Sequence, residues 1–153
     1  MFLREVAISM SSHHVRYALV GGYAVALHGA VRGTVDIDLI LTPSEENYVA
    51  AHRALEAIGL ASRIPVTPSE VFQFRRDYIE RRNLIAWSFV DSRDPTRLVD
   101  IILTHELKRL KVKKVDLGDI EVPILSKDEL IKMKQISNRP QDLEDIQALK
   151  RLS

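Results

Sequence analysis

Apolar residues recur along this chain with two different spacings, and the switches between them mark out its elements. Phe2, Val6 and Met10 stand four apart, which predicts a short opening helix over 2–13. Tyr17-Ala18-Leu19-Val20 is a continuous apolar run, a short buried strand ended by Gly21-Gly22. The helix formers Ala24, Ala26 and Leu27 follow, and Gly29 can cap that helix at its C-terminus. Residues 35–41 predict a second strand, closed by Pro43. Ser44 then stands before Glu45 and Glu46, an apolar stripe (Val49, Leu55, Ile58) and Gly59. These are the N-cap, first-turn acids and stop of a well-marked helix. In 60–77, punctuated by Pro65 and Pro68, only Val71 to Phe74 has strand character. Residues 84–90 and 97–103 predict two strands joined by a turn over 91–95, with Thr104 capping a short helix after them. Two more strands flank Gly118 within 112–125. Ser126, with Glu129 three residues on, opens a helix, and Pro140 starts the last one.

Helices alternate with strands early and paired strands follow, so the expected fold class is α/β: a mixed sheet with flanking helices and two helices at the C-terminus. With 153 residues the chain suits a single domain over 1–153, residues 126–153 forming its helical pair. The absence of cysteine excludes a disulfide framework, a thiolate metal site and a cysteine nucleophile. Lys and Arg number 22 against 21 Asp and Glu, so no global attraction to a polyanion is expected. Two local basic clusters remain, Arg75-Arg76 with Arg81-Arg82, and Lys108-Arg109 with Lys111, Lys113 and Lys114. Phe72, Phe74 and Tyr78 interleave with the first and offer stacking faces for an RNA, while Asp77, Glu80 and Glu106 favour ordinary solvated surfaces. Arg4 and Glu5 interrupt the N-terminus where a signal peptide would be apolar, and no stretch approaches the roughly 20 apolar residues of a membrane span. A cytoplasmic protein with no membrane contact is the expectation.

The chemistry concentrates in three places. Asp36 and Asp38 are two apart on a predicted strand and so project from one face, with Ile37, Leu39 and Leu41 on the other. Two carboxylates side by side at the rim of a core need a compensating cation, and a hard divalent ion, Mg²⁺ above all, suits oxygen ligands. Asp100 is a lone acid inside the apolar run 98–103, which is costly unless it is paired or bound to metal. If its strand lies beside the first, three carboxylates can face one another and hold two metals about 3.5–4 Å apart. Gly21-Gly22 ends a strand and begins a helix, where free backbone N–H groups and missing Cβ atoms let phosphate approach. A phosphate cradle beside an acid cluster describes phosphoryl or nucleotidyl transfer. The five histidines show no zinc spacing, and His28 is expected to be a hydrogen-bonded structural residue. No serine sits in a G-x-S-x-G elbow.

The segment GGYAVALHGAVRGTVDIDLIL resembles the signature of the minimal nucleotidyltransferase superfamily, whose core is shared with DNA polymerase beta. It is most similar to the small bacterial branch that holds abortive-infection-type toxin and antibiotic nucleotidyltransferases. Asp100 in LVDIIL matches that family's third carboxylate, and KMKQISNRPQDLEDIQAL resembles its C-terminal helix pair. The resemblance implies a nucleotidyltransferase fold and transfer of a nucleoside monophosphate from a triphosphate such as ATP to a hydroxyl on RNA, a small molecule or a protein. Asp36, Asp38 and Asp100 would hold Mg²⁺ or Mn²⁺, Asp100 also helping to deprotonate the acceptor. Gly21, Gly22, Arg32, Thr34 and Lys134 would serve the nucleotide, and Asp142 and Asp145 would fix the final helices. Many relatives carry Gly-Ser where this chain has Gly21-Gly22, which loosens the subfamily assignment more than the fold. A toxin role with an antitoxin protein as partner follows by analogy. The alternatives are a non-catalytic nucleotide-binding or partner-binding module of the same fold, and a phosphohydrolase using the same carboxylates on water.

Overall fold

The computed structural model of the protein describes residues 1–30, 33 and 36–152. In chain order its elements are α1 (Phe2–Ser12), β1 (Tyr17–Val20), α2 (Gly21–Leu27), β2 (Ile37–Leu41), α3 (Glu45–Glu56), β3 (Ala61–Ser62) and α4 (Pro68–Gln73). They continue as α5 (Arg75–Arg82), β4 (Ala86–Asp91), β5 (Asp94–Ile102), β6 (Val112–Asp116), β7 (Glu121–Leu125), α6 (Lys127–Ser137) and α7 (Pro140–Arg151). Val35, expected to open the second strand, lies outside the described residues, as do Arg32 and Thr34.

The strands make one mixed sheet in the order β3-β4-β5-β2-β1-β7-β6. β1 is antiparallel to β2 and parallel to β7, and β2 is parallel to β5. All four residues of β1 are buried, as expected of a strand at the centre of a covered sheet. β4 instead alternates, with Trp87, Phe89 and Asp91 buried and Ala86, Ser88 and Val90 half-buried. Its buried side meets α3: the Tyr48 ring lies 6.1 Å from Trp87, and the Phe89 ring 4.7 Å from Trp87. This aromatic cluster anchors one face of the sheet. α2, α6 and α7 lie on the opposite side, the side of Asp38 and Asp100.

Local chemistry explains the helix starts. Ser44 accepts a hydrogen bond from the Asn47 N–H at 3.1 Å, and Gly59 leaves that helix with φ of +89°. Asn47 itself ties α3 to the ends of the central strands. Its side chain accepts from the Arg16 N–H and donates to the Arg16 and Thr42 carbonyls. Ser126 caps α6 as the spacing predicts, and Asn138 ends it in the left-handed region at φ +50°.

Three expectations are corrected. Val71 to Phe74 is not a strand: Thr67 and Glu70 form a reciprocal capping box with Pro68 at the first helical position, and Val71 is buried within α4. Thr104 caps no helix. The Leu107 N–H donates to the Leu41 carbonyl and Arg109 takes φ of +54°, both incompatible with a helical turn there. The strand expected from Arg97 starts at Asp94, because the hairpin turns tightly at Ser92-Arg93, with Asp91 accepting from the Arg93 N–H.

Candidate active site

The parallel pairing of β2 with β5 sets Asp38 directly beside Asp100. Partners in register share a face of the sheet, so both carboxylates stand on the side away from the aromatic cluster. β4 adds Ser88, in register with Asp100, and its hydroxyl donates to Asp100 Oδ1 at 2.5 Å. On the other flank, β1 ends at Val20 opposite Asp38, and the chain turns into α2 at Gly21. Gly21 has φ of +68°, and a Cβ there would come within 2.9 Å of the Asp38 Cγ. Only glycine combines that backbone conformation with that contact. Gly21→Ala is expected to displace the Asp38 carboxylate and lower activity by at least about tenfold, at a stability cost of about 1–3 kcal/mol, read from steady-state kinetics and thermal melting.

Asp38 is strongly perturbed. Burial pushes its carboxyl up, the negative charges of Asp100 and then Asp36 push it further, and Lys134 and Arg139 pull it partly back, leaving it at about 6. Asp36 stands just ahead of β2, exposed, and close enough to act on Asp38 through space. Among the described residues, no group of three or more acids or histidines is placed to hold a metal ion by itself. Mg²⁺ does not need one, since it keeps several waters and takes one or two carboxylates plus substrate phosphates. The oxygen donors and their mutual repulsion therefore fit a hard divalent ion.

The far wall of the site comes from the helix pair. Lys134 is 7% exposed, its Nζ 2.9 Å from Asp145 Oδ2 and 3.6 Å from Asp142 Oδ1. Arg139 precedes α7 and donates through Nε to Asp142 at 2.9 Å. Burial raises the Asp142 carboxyl, but the Arg139 side chain and backbone, with the charges of Arg139 and Lys134, outweigh it and hold the group low. These contacts lock α6 to α7. Sheet and helices enclose a cleft of about 520 Å³. Gly21, Asp36, Asp38, Asp100 and Lys134 all line it, whereas Gly22 is buried within α2 and is not among the described lining residues. Arg32 and Thr34 lie outside the described residues.

Sequence reasoning missed several residues of the cleft. Ser88 carries no signal until strand register is known. Ile85, Ala86, Ile102, Thr104 and His105 extend the cleft beyond Asp100. Arg139 lies inside the KMKQISNRPQDLEDIQAL segment, yet only the fold brings its charge to act on Asp38. His28 is hydrogen-bonded as expected, its Nε2 2.8 Å from the Leu125 carbonyl oxygen.

Comparison with known proteins adds two findings. A family model described as nucleotidyltransferase of unknown function (DUF6036) matches residues 3–152. Several solved structures share the fold. The lincosamide antibiotic adenylyltransferase LnuA, bound to lincomycin, superposes with a TM-score of 0.65 at 17% identity over 99% of this chain and 96% of its own. ANT(2'')-Ia in complex with adenylyl-2''-tobramycin gives 0.62 at 11% identity, over 96% of this chain and 84% of that one. An antigenic nucleotidyltransferase-like protein from Paracoccidioides brasiliensis gives 0.59 at 15% identity, over 97% and 74%. No curated protein matches the chain by sequence.

Proposed function

The chain belongs to the nucleotidyltransferase family of unknown function (DUF6036), and from that premise we propose that it moves a nucleoside monophosphate from a nucleoside triphosphate to an acceptor hydroxyl with the help of a divalent metal. The observation that carries the reading is the pairing of Asp38 with Asp100 in one cleft, beside a glycine whose left-handed backbone packs against Asp38. The missing Cβ of Gly21 makes room for the Asp38 carboxylate, and the Gly21 backbone lines the cleft where phosphate would approach. Asp36, Asp38 and Asp100 are the residues that would hold Mg²⁺ or Mn²⁺. When bound, the metal neutralises charge building on the phosphates.

In the transfer, the acceptor oxygen bonds to the α-phosphorus while the bond from that phosphorus to the bridging oxygen breaks, and pyrophosphate leaves. Asp100 takes the acceptor's proton on its cleft-facing oxygen, since Ser88 occupies Oδ1. Arg139, largely exposed at the mouth of the cleft, offers its guanidinium to the departing phosphates. Lys134, held by two aspartates, contributes its charge without leaving the helix pair. A non-catalytic module would gain nothing from crowding Asp38 against like charges, so the retained strain favours an enzyme.

Labelled triphosphates with Mg²⁺ and cell extract test the proposal. The wild type is expected to pass α-phosphorus label to an acceptor and an Asp36→Ala, Asp38→Ala double variant to pass none; equal incorporation by the two defeats the reading. Ser88→Ala is expected to weaken Mn²⁺ binding about 10-fold, read by calorimetry, with Ser88→Thr restoring most of it. A Ser88→Ala protein with unchanged Mn²⁺ affinity shows that the hydroxyl does not position Asp100.

A further inference from the structure

The sheet lays its working parts out in a row: Gly21 after β1, Asp38 on β2, Asp100 on β5, and Ala86 with Ser88 on β4. In-line displacement puts the leaving group and the attacking oxygen on opposite sides of the phosphorus. With the phosphates at Gly21, the attacking oxygen comes from the Asp100 side. The cleft wall there is built by Ile102, two residues beyond Asp100 on the same face, its register partner Ala86, and Ile85. Thr104 and His105 close that end, the Thr104 hydroxyl 3.1 Å from His105 Nδ1.

We infer that the acceptor is an uncharged small molecule that sets an apolar face on Ile85, Ala86 and Ile102 and hydrogen-bonds to Thr104 and His105. This rests on the nucleotidyl-transfer reading above and adds the class of acceptor to it. Aliphatic side chains at this end match an apolar surface, and the charged residues of the lining, Asp36, Asp38, Asp100, Lys134, Arg139 and Asp142, are those the nucleotide, the metal and the helix pair engage. Burial lowers the His105 pKa, which keeps its ring a neutral hydrogen-bonding group.

The cations that an RNA would need lie elsewhere. Arg75 donates to the Leu103 carbonyl at 2.8 Å and pairs with Glu106, in a groove it shares with Arg76 and Lys108. Arg81 pairs with Asp77, and Arg82 lies over the Tyr78 ring. Lys111 and Lys113 line a separate hollow beside His28 and Lys127. Neither basic cluster contributes to the described wall of the cleft.

The test offers the full-length chain labelled triphosphates, Mg²⁺ and four acceptor pools from a cell extract: RNA, and small molecules split by ion exchange into neutral, cationic and anionic fractions. Label is expected in the neutral fraction. Ile102→Glu is expected to raise the concentration of that fraction needed for half-maximal transfer by about tenfold or more, with nucleotide affinity by calorimetry within about twofold. Ile85→Glu, at a residue 55% exposed, gives the same readout if the first variant does not fold. Label in RNA or a charged fraction, no label in the neutral fraction, or a loss of nucleotide affinity matching the loss of transfer overturns the inference. A wild type that binds no nucleotide at all instead overturns the parent reading, so the two failures are distinguishable.

Discussion

Asp38→Asn is expected to abolish transfer and, in the metal-free protein, to make the fold more stable at neutral pH. The two effects come from one cause. Burial, Asp100 and Asp36 together raise the folded-state pKa of Asp38 from 3.8 to about 6. The folded chain therefore binds this proton more tightly than the unfolded chain does. The stability this group confers is fully present below the unfolded pKa and is lost as pH rises through about 6. Above that range the ionised carboxylate costs up to about 3 kcal/mol, because one pKa unit is about 1.4 kcal/mol. Asparagine keeps the shape and removes the charge. The variant should melt several degrees higher than wild type at pH 8, with the gap closing toward pH 4. Asp142, whose carboxyl is held low, pushes stability the other way with pH, but it does so in both proteins and drops out of the difference. Transfer should fall by about 10²–10³ or more, the scale on which lost electrostatic stabilisation acts in such sites. Mg²⁺ should raise the melting point of wild type and leave that of the variant nearly unchanged. A variant that is less stable at pH 8, or that keeps more than about a tenth of wild-type activity, contradicts this account of the site.

The second large effect is expected at Lys134. Its ammonium is the cation shared by Asp142 and Asp145, which are 1% and 2% exposed. Lys134→Ala leaves two carboxylates buried with much less compensation and should cost about 3–5 kcal/mol in urea denaturation. Arg139 still reaches Asp142, while Asp145 loses its 2.9 Å ion pair with Lys134 and keeps a hydrogen bond from Gln141 at 3.1 Å. Replacing Asp145 by Leu in the same chain should therefore recover part of the loss, an interaction that a double-mutant cycle measures. Loss of Lys134 also removes a charge that pulls the Asp38 carboxyl down, so any residual activity should have its acid limb at higher pH. Additive costs at Lys134 and Asp145 contradict the shared-cation arrangement.

Much of this fold can be read along the chain because its elements announce their own ends. Ser44, Gly59, Ser126 and Pro140 mark real boundaries, and each acts through bonds within a few residues of itself. The failures have a different character. Thr67-Pro68-Ser69-Glu70 contains a complete capping signal, but two nearby prolines and the β-branched Val71 read more easily as turn and strand. Thr104 has the right residue for a cap and no helix to follow, because Leu107 is claimed by Leu41, 66 positions away by chain number. The site shows the same division. Asp36, Asp38, Asp100 and Gly21 stand out by type and spacing, yet the meeting of Asp38 with Asp100 depends on strand order, which no local pattern encodes. Ser88 sits in an alternating strand where a serine is unremarkable until the register is known. Lys134 was legible as a charge near the nucleotide; its capture by Asp142 and Asp145 emerges only when α6 and α7 pack.

Nucleotide transfer and simple phosphate cleavage at this carboxylate cleft differ in where each phosphorus ends up. The difference is tested most directly by running two reactions in parallel, one with triphosphate labelled at the α-phosphorus and one at the γ-phosphorus, each with Mg²⁺ and with EDTA. The account predicts α-label in the acceptor, γ-label in pyrophosphate, and neither in EDTA. Release of γ-label as orthophosphate with no α-label transferred, or transfer that survives EDTA, contradicts it.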